Sequence, residues 1–211
     1  VCFDRTQADF NEPDLCVSLI ESCKPTAVVN AAAYTAVDQA EIDEEIATRI
    51  NGYTPFEISK VCAAYGIPFL HISTDYVFDG SGTTPWTPND NTNPMNAYGR
   101  TKLLGENLIR NSGAIFAILR TSWVVSGSGS NFLKTMLQRS RGRKTFDVVV
   151  DQVGGPTPAR DIAFACLEIV KQLRLNHEKS GVYHFTGFPD VSWYDFANPI
   201  FELSGRDANV K

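Results

Sequence analysis

The chain has little of what several function classes need. Its 5 cysteines, Cys2, Cys16, Cys23, Cys62 and Cys166, are scattered and odd in number. No CxxC pair or Cys/His cluster occurs, which argues against a zinc centre or a disulfide framework and for reduced thiols in a cytoplasmic protein. The 3 histidines, His71, His177 and His184, have no partner spacing and read as structural. No metal motif is present. No apolar run approaches the roughly 20 residues that span a bilayer, so no membrane role is expected. The opening VCFDRTQADF lacks the basic and apolar regions of a signal peptide. Basic excess is missing too. A net charge of -5 argues against non-specific nucleic-acid binding and leaves an anionic small ligand open.

One shortage is more specific. Dinucleotide folds open with a strand and a glycine-rich turn that seats the pyrophosphate on a helix N-terminus. No glycine cluster precedes Ala27. VCFD reads instead as the second strand of such a fold. The expectation is that a first βα unit, about thirty residues, lies upstream of Val1 with its glycine turn. The end, SGRDANVK, also stops abruptly.

What is present alternates apolar β-type runs with amphipathic stretches, the pattern of an α/β fold with a doubly wound parallel sheet. AVVNAAA from Ala27, IPFLHIST ending at Thr74, IFAILRTS from Ile115, DVVVDQ and GVYHFTG read as strands. Helical spacing runs over 38–51, 55–64, 97–110, 132–141, 161–173 and 192–203, the last with Ser192 as N-cap and a kink or early stop expected at Pro199. The segment from Gly80 to Asn96 reads as a loop. The character changes near Trp123. Residues 1–122 read as a partial dinucleotide-binding domain, and 123–211 as a smaller substrate lobe partly interleaved with the sheet.

Three segments fall at the carboxyl ends of strands, where open α/β sheets bind ligands: NAAAYT, STDYVFDG and YGRTK. Tyr-x-x-x-Lys alone is a weak signal. A threonine at a strand end two dozen residues earlier, Thr74, strengthens it. Tyr98 and Lys102 share one helix face. A free tyrosine, pKa about 10, is a poor acid near neutrality, and a nearby ammonium would lower that pKa.

STDYVFDG, NAYGRTKLLGE, NAAAYTAVDQAE, RTSW and DQVGGPT resemble the extended short-chain dehydrogenase/reductase family, from about Asp9 to Phe196. The resemblance implies a Rossmann-like fold and hydride transfer from NADPH or NADH to the C4 ketone of a dTDP-linked 4-keto-6-deoxy sugar. Such a reaction, on dTDP-4-dehydro-6-deoxy-L-mannose, gives dTDP-L-rhamnose for surface polysaccharide. Tyr98 would then be the acid, Lys102 would also bond the nicotinamide ribose, and Thr74 would donate to the reacting oxygen. Asp9, Phe10, Ala33, Tyr34 and Thr35 match the family's cofactor contacts. Thr74, Asp75, Trp123 and Asn131 match its substrate side. Arg139, Arg141, Arg143 and Lys144 form a basic cluster that reads first as a solvated helix end. Magnesium follows from the family alone, and a homodimer is the assembly open to it.

Related sugar-nucleotide dehydratases carry Asp then Glu after the threonine. Here Tyr76 takes the second place, which favours reduction over elimination. Asp4 suits a ribose 2′-OH and Arg5 a 2′-phosphate, so NAD and NADP both stay open. Another nucleotide-sugar 4-ketoreductase, an epimerase and a non-catalytic NADP-binding regulatory subunit are the alternatives. Glu41, Asp43, Glu44 and Glu45 read as an exposed acidic helix face.

Overall fold

The computed structural model describes residues 1–142 and 144–211. In chain order the elements are α1 (Pro13–Cys23), β1 (Val28–Asn30), α2 (Val37–Ala40), α3 (Glu44–Thr48), a π-helical turn (Arg49–Tyr53), α4 (Thr54–Ala64) and β2 (Phe69–Thr74). Then come α5 (Ala97–Arg110), β3 (Phe116–Thr121), β4 (Val124–Val125), α6 (Phe132–Arg139), β5 (Thr145–Phe146), β6 (Val153–Gly154) and β7 (Thr157–Pro158). The chain ends with α7 (Ala159–Leu175), β8 (Gly181–His184), β9 (Val191–Ser192), α8 (Trp193–Ser204) and β10 (Asn209–Val210). Among the described residues no helix is long and apolar enough to cross a membrane. The chain divides into two compact units, Val1–Arg120 with Cys166–His184, and Thr121–Ala165 with Phe185–Lys211.

The first unit is built on a four-stranded sheet in the order β1-β2-β3-β8. β1 pairs parallel with β2, Asn30 opposite His71, and β3 pairs parallel with β8. Helical connections between parallel strands are the expected solution. Central strands of such sheets are covered on both faces. Phe69, Leu70, Ile118 and Leu119 are accordingly at most 1% exposed. Each such side chain contributes roughly 1.5–3 kcal/mol by leaving water. Cys16, Ile58, Cys62, Ile67 and Ile109 pack with Phe69 and Ile118, joining α1, α4 and α5 to the sheet. A smaller cluster of Ala40, Ala47 and Ala97 lets α2 and α3 approach the start of α5.

Among the described residues the second unit holds three two-stranded pairs, β5 with β10, β4 with β7 and β6 with β9. Its core is Met136, Phe146, Ala197, Ile200, Phe201 and Val210. Ser192 and Asp195 form a capping box at the start of α8.

Several expectations need correction. Val1–Asp4 is not a strand. Asp4 instead folds back on the next residues, its carboxylate accepting from the Thr6 N–H at 2.9 Å and the Thr6 hydroxyl at 2.6 Å. The helix expected over 38–51 is broken into α2, α3 and the π turn. Asn51 and Gly52 are buried there because α5 packs directly onto that turn. DVVVDQ is not a strand either; Val149 and Val150 are 49% and 66% exposed, so the apolar run does not mark burial. Helix α8 continues through Pro199 to Ser204. Ala197, Ile200 and Phe201 on either side of the proline are buried, and that packing outweighs the lost backbone bond.

Candidate active site

The first unit gathers Thr74, Asp75, Tyr98 and Lys102 around the carboxyl end of β2. Helix α5 is aimed by its N-terminus. The Asn96 side chain accepts from the Gly99 N–H at 2.8 Å, and Glu41 accepts from the Ala97 N–H at 2.6 Å. Arg100 forks onto Glu44 with two bonds of 3.0 Å. The Tyr34 hydroxyl donates to Asp43 at 2.8 Å. Glu41, Asp43 and Glu44 are therefore not a merely solvated face; they hold the start of α5 and the segment after β1. Glu45 pairs with Arg49, one turn on, at 3.6 Å. Close packing completes the seat: a side chain on Gly99 would place its Cβ 2.2 Å from the Tyr76 carbonyl oxygen.

Thr74 is 5% exposed, and its hydroxyl is fully used. It donates to Asp75 Oδ1 at 3.0 Å and accepts from the Tyr76 N–H at 3.2 Å. The Tyr98 phenol lies near enough to feel that hydroxyl, which favours its ionised form. The Tyr76 ring stands edge-on to Tyr98, centroids 5.4 Å apart. Burial pushes the Tyr98 phenol up to about 12, opposed by the Thr74 hydroxyl and reinforced by Asp75 and Tyr76. Burial also raises the Asp75 carboxyl above its usual range.

Lys102 is 1% exposed. Its Nζ lies 2.7 Å from the Ile72 carbonyl oxygen and 3.0 Å from His71 Nε2. Burial pulls it down to about 7, with Glu106 acting weakly the other way. The electrostatic expectation from the sequence is thus corrected. Lys102 is turned toward β2, and desolvation rather than a cation sets the Tyr98 phenol.

Sequence reasoning missed two groups here. One is His71, which is 0% exposed and bridges Asn30 and Lys102. The other is Glu106, also 0% exposed. It accepts from Ser73 at 2.6 Å and from Arg120 at 2.9 and 2.6 Å. It sits one turn after Lys102 and ties α5 to β2 and β3.

The expected cofactor contacts all lie in this unit. Ala31 and Ala32 are exposed and Ala33 is half-buried, a strip of small side chains beyond β1 that a planar ligand could approach closely. Tyr34 and Thr35 follow, the Tyr34 N–H held by Asn51 Oδ1 at 2.8 Å. Asp9 accepts from the Asn11 N–H at 2.9 Å and pairs with Arg5 at 3.5 Å. Phe10 packs against the core, and its carbonyl accepts from Thr54 at 2.7 Å. Carboxylates for ribose hydroxyls, a guanidinium, a small-residue strip and a buried amine are donors and surfaces that fit a nicotinamide dinucleotide.

Trp123 and Asn131 belong to the second unit. Trp123 adopts a left-handed φ of 48°, uncommon for a bulky residue. Its ring stacks on Trp193, and a Cβ on Gly154 would lie 2.9 Å from it. Asn131 caps α6, accepting from the Lys134 N–H at 3.1 Å and donating to the Ser126 carbonyl at 2.7 Å. Of the basic cluster, Arg143 lies outside the described residues; Lys144 pairs with Asp207. His184 Nδ1 donates to the Trp86 carbonyl oxygen of the loop, 3.2 Å away, and the ring packs edge-on to Phe78. Among the described residues no group of three or more His, Cys, Asp or Glu could hold a metal ion.

Comparison with known proteins bears on this geometry. The family described as RmlD substrate binding domain matches residues 1–211. The chain is similar to a dTDP-4-dehydrorhamnose reductase of Aggregatibacter actinomycetemcomitans, 40% identical over 203 residues. That match covers 96% of this chain and 69% of the relative, so the chain spans about two thirds of its length. It is similar in structure to a dTDP-4-dehydrorhamnose reductase of Clostridium acetobutylicum, with a TM-score of 0.93 at 36% identity, over 100% of this chain and 73% of that one. It is also similar to a reductase of the same name from Bacillus anthracis in complex with NADP, with a TM-score of 0.90 at 31% identity, over 99% and 72% of the two chains.

Proposed function

We propose, on the premise that this chain belongs to the RmlD substrate binding domain family, that it reduces the C4 ketone of dTDP-4-dehydro-6-deoxy-L-mannose to give dTDP-L-rhamnose. The observation that carries the reading is the meeting of Thr74, Tyr98 and Lys102 at the carboxyl end of β2, beside Tyr76 rather than a second acid. A base for elimination is missing from that position, and an acid for a ketone is present.

NADPH or NADH, when bound, supplies the hydride. The first unit would hold the cofactor through Asp9, Phe10, Ala33, Tyr34 and Thr35, with Tyr98 and Lys102 serving the nicotinamide ribose and the reacting carbonyl. Tyr98 gives its proton to the carbonyl oxygen as negative charge grows there. A phenol kept protonated by burial is a stored proton, and the developing alkoxide is basic enough to take it. Thr74 turns its hydroxyl proton from Asp75 to the same oxygen and stabilises the charge there. In this reading Asp75 is the substrate-side residue of the first unit, and the second unit, with Trp123 and Asn131, is mainly a sugar-nucleotide unit. The reaction belongs in the cytoplasm, where nicotinamide cofactors and nucleotide sugars are kept.

The test is product identification. The purified protein, NADPH and the 4-keto sugar nucleotide are incubated and the product resolved by chromatography and NMR. A dTDP-linked 6-deoxy-L-mannose product supports the reading. A different epimer at C4, or bound cofactor with no sugar product, would overturn it.

A further inference from the structure

Asn30, His71 and Lys102 form a buried chain of polar side chains whose proton count can be solved. Asn30 is 4% exposed, His71 0% and Lys102 1%. The Asn30 carboxamide is fixed in orientation, because Oδ1 accepts from the Ala32 backbone N–H at 2.9 Å. A backbone N–H can only donate, so the atom facing it is the oxygen. The amino group Nδ2 therefore faces His71 Nδ1, 2.9 Å away. That ring nitrogen must accept. A neutral imidazole carries one proton, which then sits on Nε2. Nε2–H points at Lys102 Nζ, 3.0 Å away. An ammonium has no lone pair to receive it. The arrangement that satisfies every partner has Lys102 as a neutral amine, accepting from His71 and donating to the Ile72 carbonyl at 2.7 Å.

We propose that His71, held in its Nε2–H form by Asn30, is a positioning residue for Lys102 that fixes the amine nitrogen and couples its proton uptake to the tautomer of the ring. The proposal rests on the reading of Lys102 as part of the reductase site. When Lys102 gains a proton its lone pair is lost. His71 must then accept at Nε2 and carry its own proton on Nδ1, a net gain of one proton by the pair. Nδ1–H would face the Asn30 amino group. Turning the carboxamide to meet it would set that amino group against the Ala32 N–H. Protonation of Lys102 thus costs one buried hydrogen bond whichever way the chain rearranges. Burial alone also opposes the charge on both groups, in the same direction. Glu106 on α5, the acid that favours a charge on Lys102, is already committed to Ser73 and Arg120. Just past the end of β2 the neighbouring titratable group is Asp75, held by Thr74, and on β1 the facing group is the uncharged Asn30.

The test is nitrogen NMR of the protein labelled in its 3 histidines. Ring tautomers are read from the two nitrogen shifts across the titration of Lys102, from about pH 6 to about pH 9. The expected result is an Nε2–H ring for His71 on the alkaline side and a change of tautomer as Lys102 takes its proton. Asn30→Ala should release the ring into a mixture. It should also move Lys102 protonation, followed by the pH profile of kcat, upward by about half a unit to one unit. An Nδ1–H ring at every pH, or an Asn30→Ala profile that does not move in an active enzyme, would overturn the proposal. The wild-type spectrum decides even where Asn30→Ala fails to fold. Absence of ketone reduction with the Nε2–H ring in place would sink the reductase reading and leave the coupling standing.

Discussion

Gly105→Ala puts the packing of α5 on trial. Gly105 lies one turn after Lys102 and is buried against the π-helical turn. A Cβ there would sit 2.2 Å from the Asn51 carbonyl oxygen and 3.2 Å from its carbon. Ordinary contact begins more than an ångström further out. The obstacle is backbone, and Asn51 is fixed from its other end by the Tyr34 N–H at 2.8 Å and by Thr101 at 3.1 Å. Alanine in a helix gains about 1 kcal/mol over glycine. Overpacking of this kind costs roughly 1–3 kcal/mol, and a backbone partner places it at the upper end. The net loss is about 1–2 kcal/mol, which lowers Tm by roughly 2–8 °C for a chain of this size. Activity should fall further. Any relief moves α5, and a displacement of about 1 Å at Tyr98 and Lys102 costs on the order of 10²-fold. Thermal unfolding and NADPH oxidation are the assays. A variant that melts a few degrees higher with full activity would refute the reasoning, because the helix would have gained its alanine at no cost in fit.

Other perturbations test the surrounding claims. Glu106→Gln strips the charge from the only carboxylate that Arg120 is seen to bond among the described residues, and should cost about 3–5 kcal/mol in urea unfolding. Lys102→Met should abolish ketone reduction and remove one pH dependence of stability. Lys102 titrates at about 7 folded against 10.5 unfolded, so the unfolded chain binds more protons between those values. Stability of the parent should rise with pH across that window, by a few kcal/mol at most and on the order of 1.4 kcal/mol per unit, and the rise should vanish in the methionine variant. Gly154→Ala crowds the Trp123 ring at 2.9 Å and should raise KM for the sugar nucleotide while cofactor affinity, read by fluorescence titration, stays unchanged.

The sequence carried most of the scaffold because its elements obey local rules. Helix α5 runs from Ala97 to Arg110 as its spacing predicts, and β2 ends at Thr74, since their apolar patterns agree with their burial. Local pattern failed where a distant partner decides. DVVVDQ is apolar yet exposed, and the segment over 38–51 splits because α5 presses on Asn51 and Gly52. The acids at 41–44 read as solvated because their partners Ala97, Arg100 and Tyr34 are set by the fold. Tyr98, Lys102 and Thr74 were legible from spacing and family resemblance. His71 was not, since a histidine within a strand looks like any core residue until the Asn30 and Lys102 contacts are seen.

Tyr98→Phe tests the central claim most directly. The phenol is the stored proton, and phenylalanine keeps the ring beside Tyr76 while removing that proton. Loss of NADPH absorbance is followed after adding dTDP-4-dehydro-6-deoxy-L-mannose to the parent and the variant. The account predicts steady oxidation by the parent and a rate lower by about 10²–10⁴-fold in the variant, with cofactor binding retained. A variant as fast as the parent would contradict it, because the proton would then come from elsewhere.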